Sequence, residues 1–200
     1  PGHVFPLTQV SGAMESESAV HCLVTGAAGF IASVVSRMLL DSGAMVVGID
    51  DLNDAYDVRM KEHRLQQLQK YSNFEFIKQD ISDRSIINLD QLQGRDFDAV
   101  INLAARAGVR DSLLDPWVYL DTNATGTVNL LEFCKNQQIP KFVLASTSSI
   151  YGENAPLPTP ETASSDFPLQ SYAANKKAAE TMAHAYHYLY DIDVTVLRFF

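Results

Sequence analysis

Tyr172 and Lys176 stand four residues apart in Tyr172-Ala173-Ala174-Asn175-Lys176. On a helix that spacing puts both on one face. An ammonium beside a phenol favours the phenolate and draws the tyrosine pKa from about 10 towards neutrality. A phenolate near neutral pH takes a proton from an alcohol, so Tyr172 is a candidate general base. Upstream lies Ser146-Thr147-Ser148-Ser149-Ile150-Tyr151-Gly152, where the Thr147 hydroxyl offers a hydrogen bond to the same substrate oxygen. Taken alone the Tyr–Lys pair is weak, because chance also produces such pairs in a chain of this composition.

The pair gains weight from the start of the chain. Val20 to Thr25 reads as a short buried strand that runs into Gly26-Ala27-Ala28-Gly29-Phe30-Ile31-Ala32 and then an apolar-periodic helix, Val34 to Leu40. A glycine-rich turn between strand and helix suits a dinucleotide: Gly26 makes the tight turn, Gly29 admits the pyrophosphate to the backbone, and the helix N-terminus supplies free N–H groups. Ala32 stands at the third position of the pattern, where an alanine methyl is tolerable. An ordinary strand–turn–helix is the plainer alternative. A second strand, Ala44 to Ile49, ends at Asp50-Asp51. An acid about twenty residues beyond the glycines hydrogen-bonds the adenosine ribose hydroxyls and repels a 2′-phosphate, so the expected cofactor is NAD rather than NADP. A solvated Asp at a strand end is the alternative there.

These features need a scaffold that brings them together. Strands are expected near 20–25, 44–49, 73–78, 97–102, 140–146 and 193–198. Helices are expected near 29–42, 58–71, 116–136 and 171–190, with a short helix over 83–92. Ala99 to Leu103 and Lys141 to Ala145 are almost continuously apolar, as in a parallel sheet covered on both faces. The fold class is therefore α/β, a doubly wound parallel sheet of Rossmann type, with ligands at the carboxyl ends of the strands. Asp80-Ile81, Ala104-Ala105 and Thr147 all fall at such ends.

The 200 residues are 46% hydrophobic and carry a formal net charge of −9, which argues against a nucleic-acid surface. No run is long and apolar enough for a membrane span, and no signal peptide is evident. Two cysteines in apolar segments, Cys22 and Cys134, read as free buried thiols of a reducing, cytoplasmic setting. Residues 1–17 read as a leader or tag, with Met14 a candidate start, and 18–200 as the NAD-binding domain. Ala155 to Pro168 is Pro-dense and reads as a long loop.

From about residue 18 onwards the chain resembles the extended short-chain dehydrogenase/reductase family of nucleotide-sugar epimerases and dehydratases. The resemblance rests on Thr25 to Ile31, Asp50, Asp80-Ile81, Asn102 to Ala105, Asn123-Ala124-Thr125-Gly126-Thr127, Ser146 to Gly152 and Tyr172-x-x-x-Lys176. Gly48 to Arg59, Ala107-Gly108-Val109-Arg110, Pro116 to Tyr119, Met182 to His184 and Leu197 to Phe200 look closer still to UDP-glucuronate 4-epimerases. The resemblance implies a catalytic set of Tyr172, Lys176 and Thr147. It implies a cofactor set of Gly26, Ala28, Gly29, Phe30, Ile31, Asp50, Asp51, Asn53, Asp80, Ile81, Leu103, Ala104, Ala105 and Asn123, joined by Tyr172 and Lys176. It assigns Thr147, Ser148, Ser149, Val109 and Arg110 to a UDP-sugar. No metal is implied.

The implied reaction oxidises the sugar C4, lets the 4-keto sugar turn over, and returns the hydride to its other face. The family pairs helices 116–136 and 171–190 into a homodimer. It also continues past the Arg198-Phe199-Phe200 strand into a substrate domain that grips the nucleotide, most of which is expected to be absent here. Departures from the pattern are Ala32, Asp51 where asparagine is frequent, and Asp111 where the closest relatives often carry an aromatic. Dehydratases place an Asp-Glu pair after the threonine, and decarboxylating relatives keep a Glu before the apolar-Tyr-Gly. Ser148 and Ser149 stand there instead, which favours an epimerase over either. A non-catalytic NAD-binding fragment is the reading from another class. His184 and His187 share a helix face without further metal ligands, which favours packing roles. Arg106 and Arg110 read equally as carboxylate or phosphate contacts and as solvated loop charges.

Overall fold

The computed structural model describes residues 19–200. The leader expected over 1–17 lies outside the described residues. Six strands form one parallel sheet in the order β3-β2-β1-β4-β5-β6. They are β1 (His21–Thr25), β2 (Met45–Asp50), β3 (Phe74–Lys78), β4 (Ala99–Asn102), β5 (Lys141–Thr147) and β6 (Asp193–Phe199). The order reverses between β1 and β4, which pair side by side although 73 residues separate Thr25 from Ala99 in the register Cys22↔Ala99 to Thr25↔Asn102 only through the long excursion to β3. A crevice at the carboxyl ends of the strands opens at that reversal.

The alternation of β1 shows how the layers form. Leu23 faces a core with Val47, Val100, Phe142 and Leu144, closed by helices α4 (Gly126–Gln137) and α5 (Ser171–Tyr190). Cys22 and Val24 face the opposite core with Val46, closed by α1 (Phe30–Asp41) and α2 (Val58–Leu68). Period-two side-chain alternation thus gives each sheet face its own apolar layer. The fold is the expected doubly wound one.

Two expected helices take a different form. Residues 83–92 make two 3₁₀ turns, Arg84–Asn88 and Asp90–Leu92. Asp83 caps the first by accepting from Ser85 N at 2.8 Å. The helix expected over 116–136 starts as α3 (Pro116–Tyr119), widens into a π-helical stretch over Leu120–Thr125, and resumes as α4. Pro116 suits the first turn because its missing N–H has no partner there. The widening falls at Asn123, whose side chain is needed outside the helix, as described below. Cys22 and Cys134 are buried and free, and burial pushes the Cys22 thiol up to about 11. Among the described residues no helix is long and apolar enough to cross a membrane, and no group of three or more His, Cys, Asp or Glu could hold a metal ion.

Candidate functional site

The glycine turn is built by backbone geometry. Gly26 has φ +69°, in the left-handed region, and a Cβ there would stand 2.9 Å from Ala104 Cα. The β1 turn therefore lies directly against the strand-end loop of β4, which only glycine permits. A Cβ on Gly29 would meet Gly26 O at 2.8 Å, so its first demand is closure of the turn itself. Gly29 is the N-cap of α1 and brings no side-chain cap. The first helical bond there runs from Ser33 N to Gly29 O at 3.1 Å. The N–H groups of Phe30, Ile31 and Ala32 precede that bond and point along the helix towards its positive end, an anion-binding arrangement.

A chain of buried hydrogen bonds ties this turn to the other side of the crevice. Thr25 Oγ1 donates to Asn102 Oδ1 at 2.8 Å and accepts from Ala104 N at 3.2 Å. Asn102 Nδ2 donates to Thr127 Oγ1 at 3.1 Å, and Thr127 Oγ1 donates to Asn123 O at 2.7 Å. Asn123, 1% exposed, holds both backbone polar groups of one loop residue. Its Oδ1 accepts from Arg106 N at 2.8 Å and its Nδ2 donates to Arg106 O at 3.0 Å. Each unmade buried bond of this kind costs about 1–3 kcal/mol, so the Leu103–Ala107 segment is held at one position.

One pocket collects Gly26, Gly29, Asp50, Asp51, Asn53, Asp80, Ile81, Leu103, Ala104 and Ala105 of the expected cofactor set. Of that set, Ala28, Phe30, Ile31, Asn123, Tyr172 and Lys176 do not line it. Ala28 is buried beneath it and donates from N to Asp50 Oδ2 at 3.2 Å. Asn123 acts through Arg106. Phe30 is 74% exposed, with the Arg64 guanidinium 5.8 Å from its ring centroid. Seven lining residues lie outside the expected site set: Ile49, Ala55, Tyr56, Lys61, Gln79, Ala107 and Thr122. Lys61 had a signal: it shares the buried stripe of α2 with Leu65 and Leu68, where a lysine is out of place without a partner.

Asp50 differs from its expected part. Its carboxylate already accepts from Ala28 N, from Leu52 N at 2.8 Å and from Lys61 Nζ at 3.3 Å. It is a shared internal acceptor as well as a pocket wall. The neighbouring Asp51 accepts from Asn53 N at 3.0 Å, and its carboxyl lies below the usual range because the hydrogen bonds from Asn53 outweigh burial, helped by Lys61 and Arg106.

The pair that opened the sequence argument sits at the head of α5. Tyr172 is its second residue, near the positive end that favours an anion. Its N donates to Ser112 Oγ at 3.2 Å, and its ring meets that of Tyr119 edge-on, 6.2 Å between centroids. Lys176, 4% exposed, donates from Nζ to Ala145 O at 3.0 Å. Here the structure corrects an expectation. Burial raises the Tyr172 phenol above its ordinary value, and the neighbouring Thr147 hydroxyl opposes it only in part. Lys176 does not draw the phenol towards neutrality, because its own ammonium is turned to a backbone carbonyl and burial lowers it to about 8. One turn along α5, Glu180 works against that fall.

Thr147 closes β5 and is 8% exposed. Its Oγ1 accepts from Ser149 N at 3.1 Å and donates to Ser149 Oγ at 3.2 Å. Tyr172 thus lies beside Thr147, Lys176 reaches Ala145 O two residues earlier on β5, and Ser148 and Ser149 follow in the turn Ser148–Tyr151. Arg110 is exposed on the turn before Asp111–Leu113, and Val109 is half-buried with its carbonyl accepting from Ser112 Oγ at 2.7 Å. His187 Nδ1 lies 2.8 Å from Ile192 O, a packing contact.

The family model described as GDP-mannose 4,6 dehydratase matches residues 23–200. A UDP-glucuronate 4-epimerase of Thermodesulfobacterium geofontis is 51% identical over 178 residues, covering 89% of this chain and 54% of that protein. The crystal structure of UDP-glucuronic acid 4-epimerase from Bacillus cereus, in complex with UDP-glucuronic acid and NAD, superposes with a TM-score of 0.81 at 38% identity, over 90% of this chain and 56% of that one. The UDP-Glc/GlcNAc 4-epimerase of Campylobacter jejuni gives a TM-score of 0.82 at 26% identity, over 91% and 54%. The chain spans about half the length of the relatives it matches.

Proposed function

Because the chain belongs to the GDP-mannose 4,6 dehydratase-like family of NAD-dependent nucleotide-sugar epimerases and dehydratases, we propose that it is the cofactor-binding part of a UDP-glucuronate 4-epimerase. The observation that carries the reading is a pocket walled by Gly26, Asp50 and Ile81, with Thr147 ending β5 at the same sheet edge and Tyr172 beside Thr147. The residues fit NAD on this structure's own terms. Gly26 and Gly29 line the pocket with no side chain, the first turn of α1 is uncapped, and Asp50 stands at the end of β2. When bound, NAD supplies a reversible hydride acceptor. Phe30 and Ile31 N–H groups would hold its pyrophosphate, Asp50 its adenosine ribose, and Asp80 and Ile81 would flank its adenine.

Tyr172 would take the proton of the sugar C4 hydroxyl as that carbon is oxidised, once the positive charge of bound NAD offsets the rise that burial gives its phenol, and would return a proton when the 4-keto sugar is reduced on its other face. Thr147 hydrogen-bonds the same oxygen. Lys176 would hold the nicotinamide ribose of bound NAD. Ser148 and Ser149 give neutral hydroxyls to the uronate carboxylate, keeping it out of the geometry in which a β-keto acid loses carbon dioxide. Arg110 and Val109 border the sugar. A second copy pairs through 116–136 and 171–190, where Trp117, Met182 and Leu189 are exposed apolar side chains.

A version of the chain extended to the length of its relatives tests the reading. With UDP-glucuronate it should form UDP-galacturonate and little UDP-pentose. Tyr172→Phe should lose about 10²–10⁴-fold in rate, the usual worth of a general base, while NAD binding persists. Near-normal turnover by Tyr172→Phe removes Tyr172 as the base. A product that is mostly pentose removes the epimerase reading.

A further inference from the structure

Lys61 is 5% exposed, on a helix stripe otherwise apolar, and its ammonium enters the pocket wall. Its Nζ lies 3.3 Å from Asp50 Oδ1, 3.2 Å from Asn53 Oδ1 and 3.8 Å from Asp51 Oδ1, with the Tyr56 ring centroid at 5.4 Å. A lysine desolvated to this degree is retained only with charge partners. Two adjacent carboxylates in one pocket need a cation for the same reason. The three groups form one charge unit: two negative, one positive.

That arrangement changes what discriminates between dinucleotides. Asp50 is matched by Lys61 and by two backbone donors, Ala28 N and Leu52 N. Its charge is thereby largely balanced, and repulsion of a 2′-phosphate cannot rest on it alone. Asp51 is the surplus charge. It is met by the neutral Asn53, is 30% exposed at the side chain and stands farther from Lys61 than Asp50 does. Arg106 also acts on Asp51 and adds a second cation near the pocket.

We propose that the balance of Lys61 against Asp50 and Asp51, rather than Asp50 by itself, sets the choice between NAD and NADP, with Lys61 the specificity-determining residue. Lys61 is a cation suited to a phosphate, and the two acids occupy it. This rests on the dinucleotide reading of the pocket, and it concerns binding alone.

Kd values for NAD and NADP, measured by calorimetry on residues 1–200 and two variants, test it. Lys61→Met leaves both acids unmatched. NAD should weaken, and NADP should weaken by about tenfold more, which corresponds to about 1.4 kcal/mol. Asp51→Asn removes the surplus charge and leaves Lys61 in place. NADP should tighten relative to NAD by about tenfold. An unchanged NAD-to-NADP ratio in Asp51→Asn overturns the proposal, as does tighter NADP binding by a folded Lys61→Met. Circular dichroism checks that each variant is folded, and if Lys61→Met is not, Asp51→Asn decides the matter. An unaltered chain that binds neither nucleotide overturns this proposal together with the NAD reading. An unaltered chain that binds NAD, with variants that keep the same ratio, overturns this proposal alone.

Discussion

At the residue scale, burial acts on Tyr172 and Lys176 in opposite senses. It disfavours the charged form of each, so the phenol rises and the ammonium falls. Proximity in sequence put the two groups on one helix face, but their partners are set elsewhere, by Thr147 and by Ala145 O. A pH dependence follows from Lys176. Its folded-state pKa of about 8 lies below the ordinary value of 10.5. Between those values the unfolded chain holds a proton that the folded chain lacks, so stability rises with pH across the window. The effect is at most about 3 kcal/mol. Urea unfolding at about pH 7 and about pH 10 should show the unaltered chain gaining stability relative to Lys176→Met. Taking the difference from that variant cancels the titration of Cys22, which acts in the same range with the opposite sign. Parallel pH curves for the two proteins would mean that Lys176 is not depressed.

At the element scale, the β1–α1 turn and the Leu103–Ala107 loop define each other. Gly26 needs a left-handed backbone and has Ala104 against it, whereas Gly43 also has positive φ, +91°, but nothing within 4 Å of its would-be Cβ. Gly43→Ala therefore isolates the conformational cost, about 1 kcal/mol or somewhat more. Gly26→Ala adds a backbone clash to that cost, and should lower the urea midpoint further and abolish NAD binding. Equal losses in the two variants, with NAD binding intact, would show that the turn does not need its close approach to Ala104. The π-helical widening at Leu120–Thr125 belongs to the same scale. It lets the Asn123 side chain leave the helix for Arg106 while Thr127 takes the Asn123 carbonyl. Such widenings are frequent at functional sites.

At the scale of the whole molecule, the reading proposed above gives the described residues a dinucleotide pocket and a proton acceptor. A sugar nucleotide needs its remote parts held if the sugar is to reach its reactive pose, and misplacement by about 1 Å can cost roughly a hundredfold. Residues 1–200 by themselves are thus expected to bind NAD yet turn over UDP-glucuronate at least about a hundredfold more slowly than the version extended to the length of its relatives. Product formation by the two forms, measured at equal enzyme concentration, checks this. Equal rates would place the whole nucleotide grip within the present chain.

The amino-acid sequence alone determined the alternation of strands and helices, the doubly wound sheet and the sites at its carboxyl edge. Those features are local: a glycine turn, an apolar run and a Tyr–Lys spacing each act over a few residues, and the sheet order follows once βα units must pack on both faces. Tertiary structure decided the rest. Thr25 reaches Asn102 across 77 residues and Asn123 reaches Arg106 across 17, through strand and helix neighbours that no local pattern encodes. Lys61 on α2 finds Asp50 at the end of β2 only once both elements are in place. The charge state of each buried group depends on what lies around it in space, and spacing along the chain carries no record of burial. That is why the Tyr172–Lys176 pair was legible, whereas the direction of its pKa shifts was not.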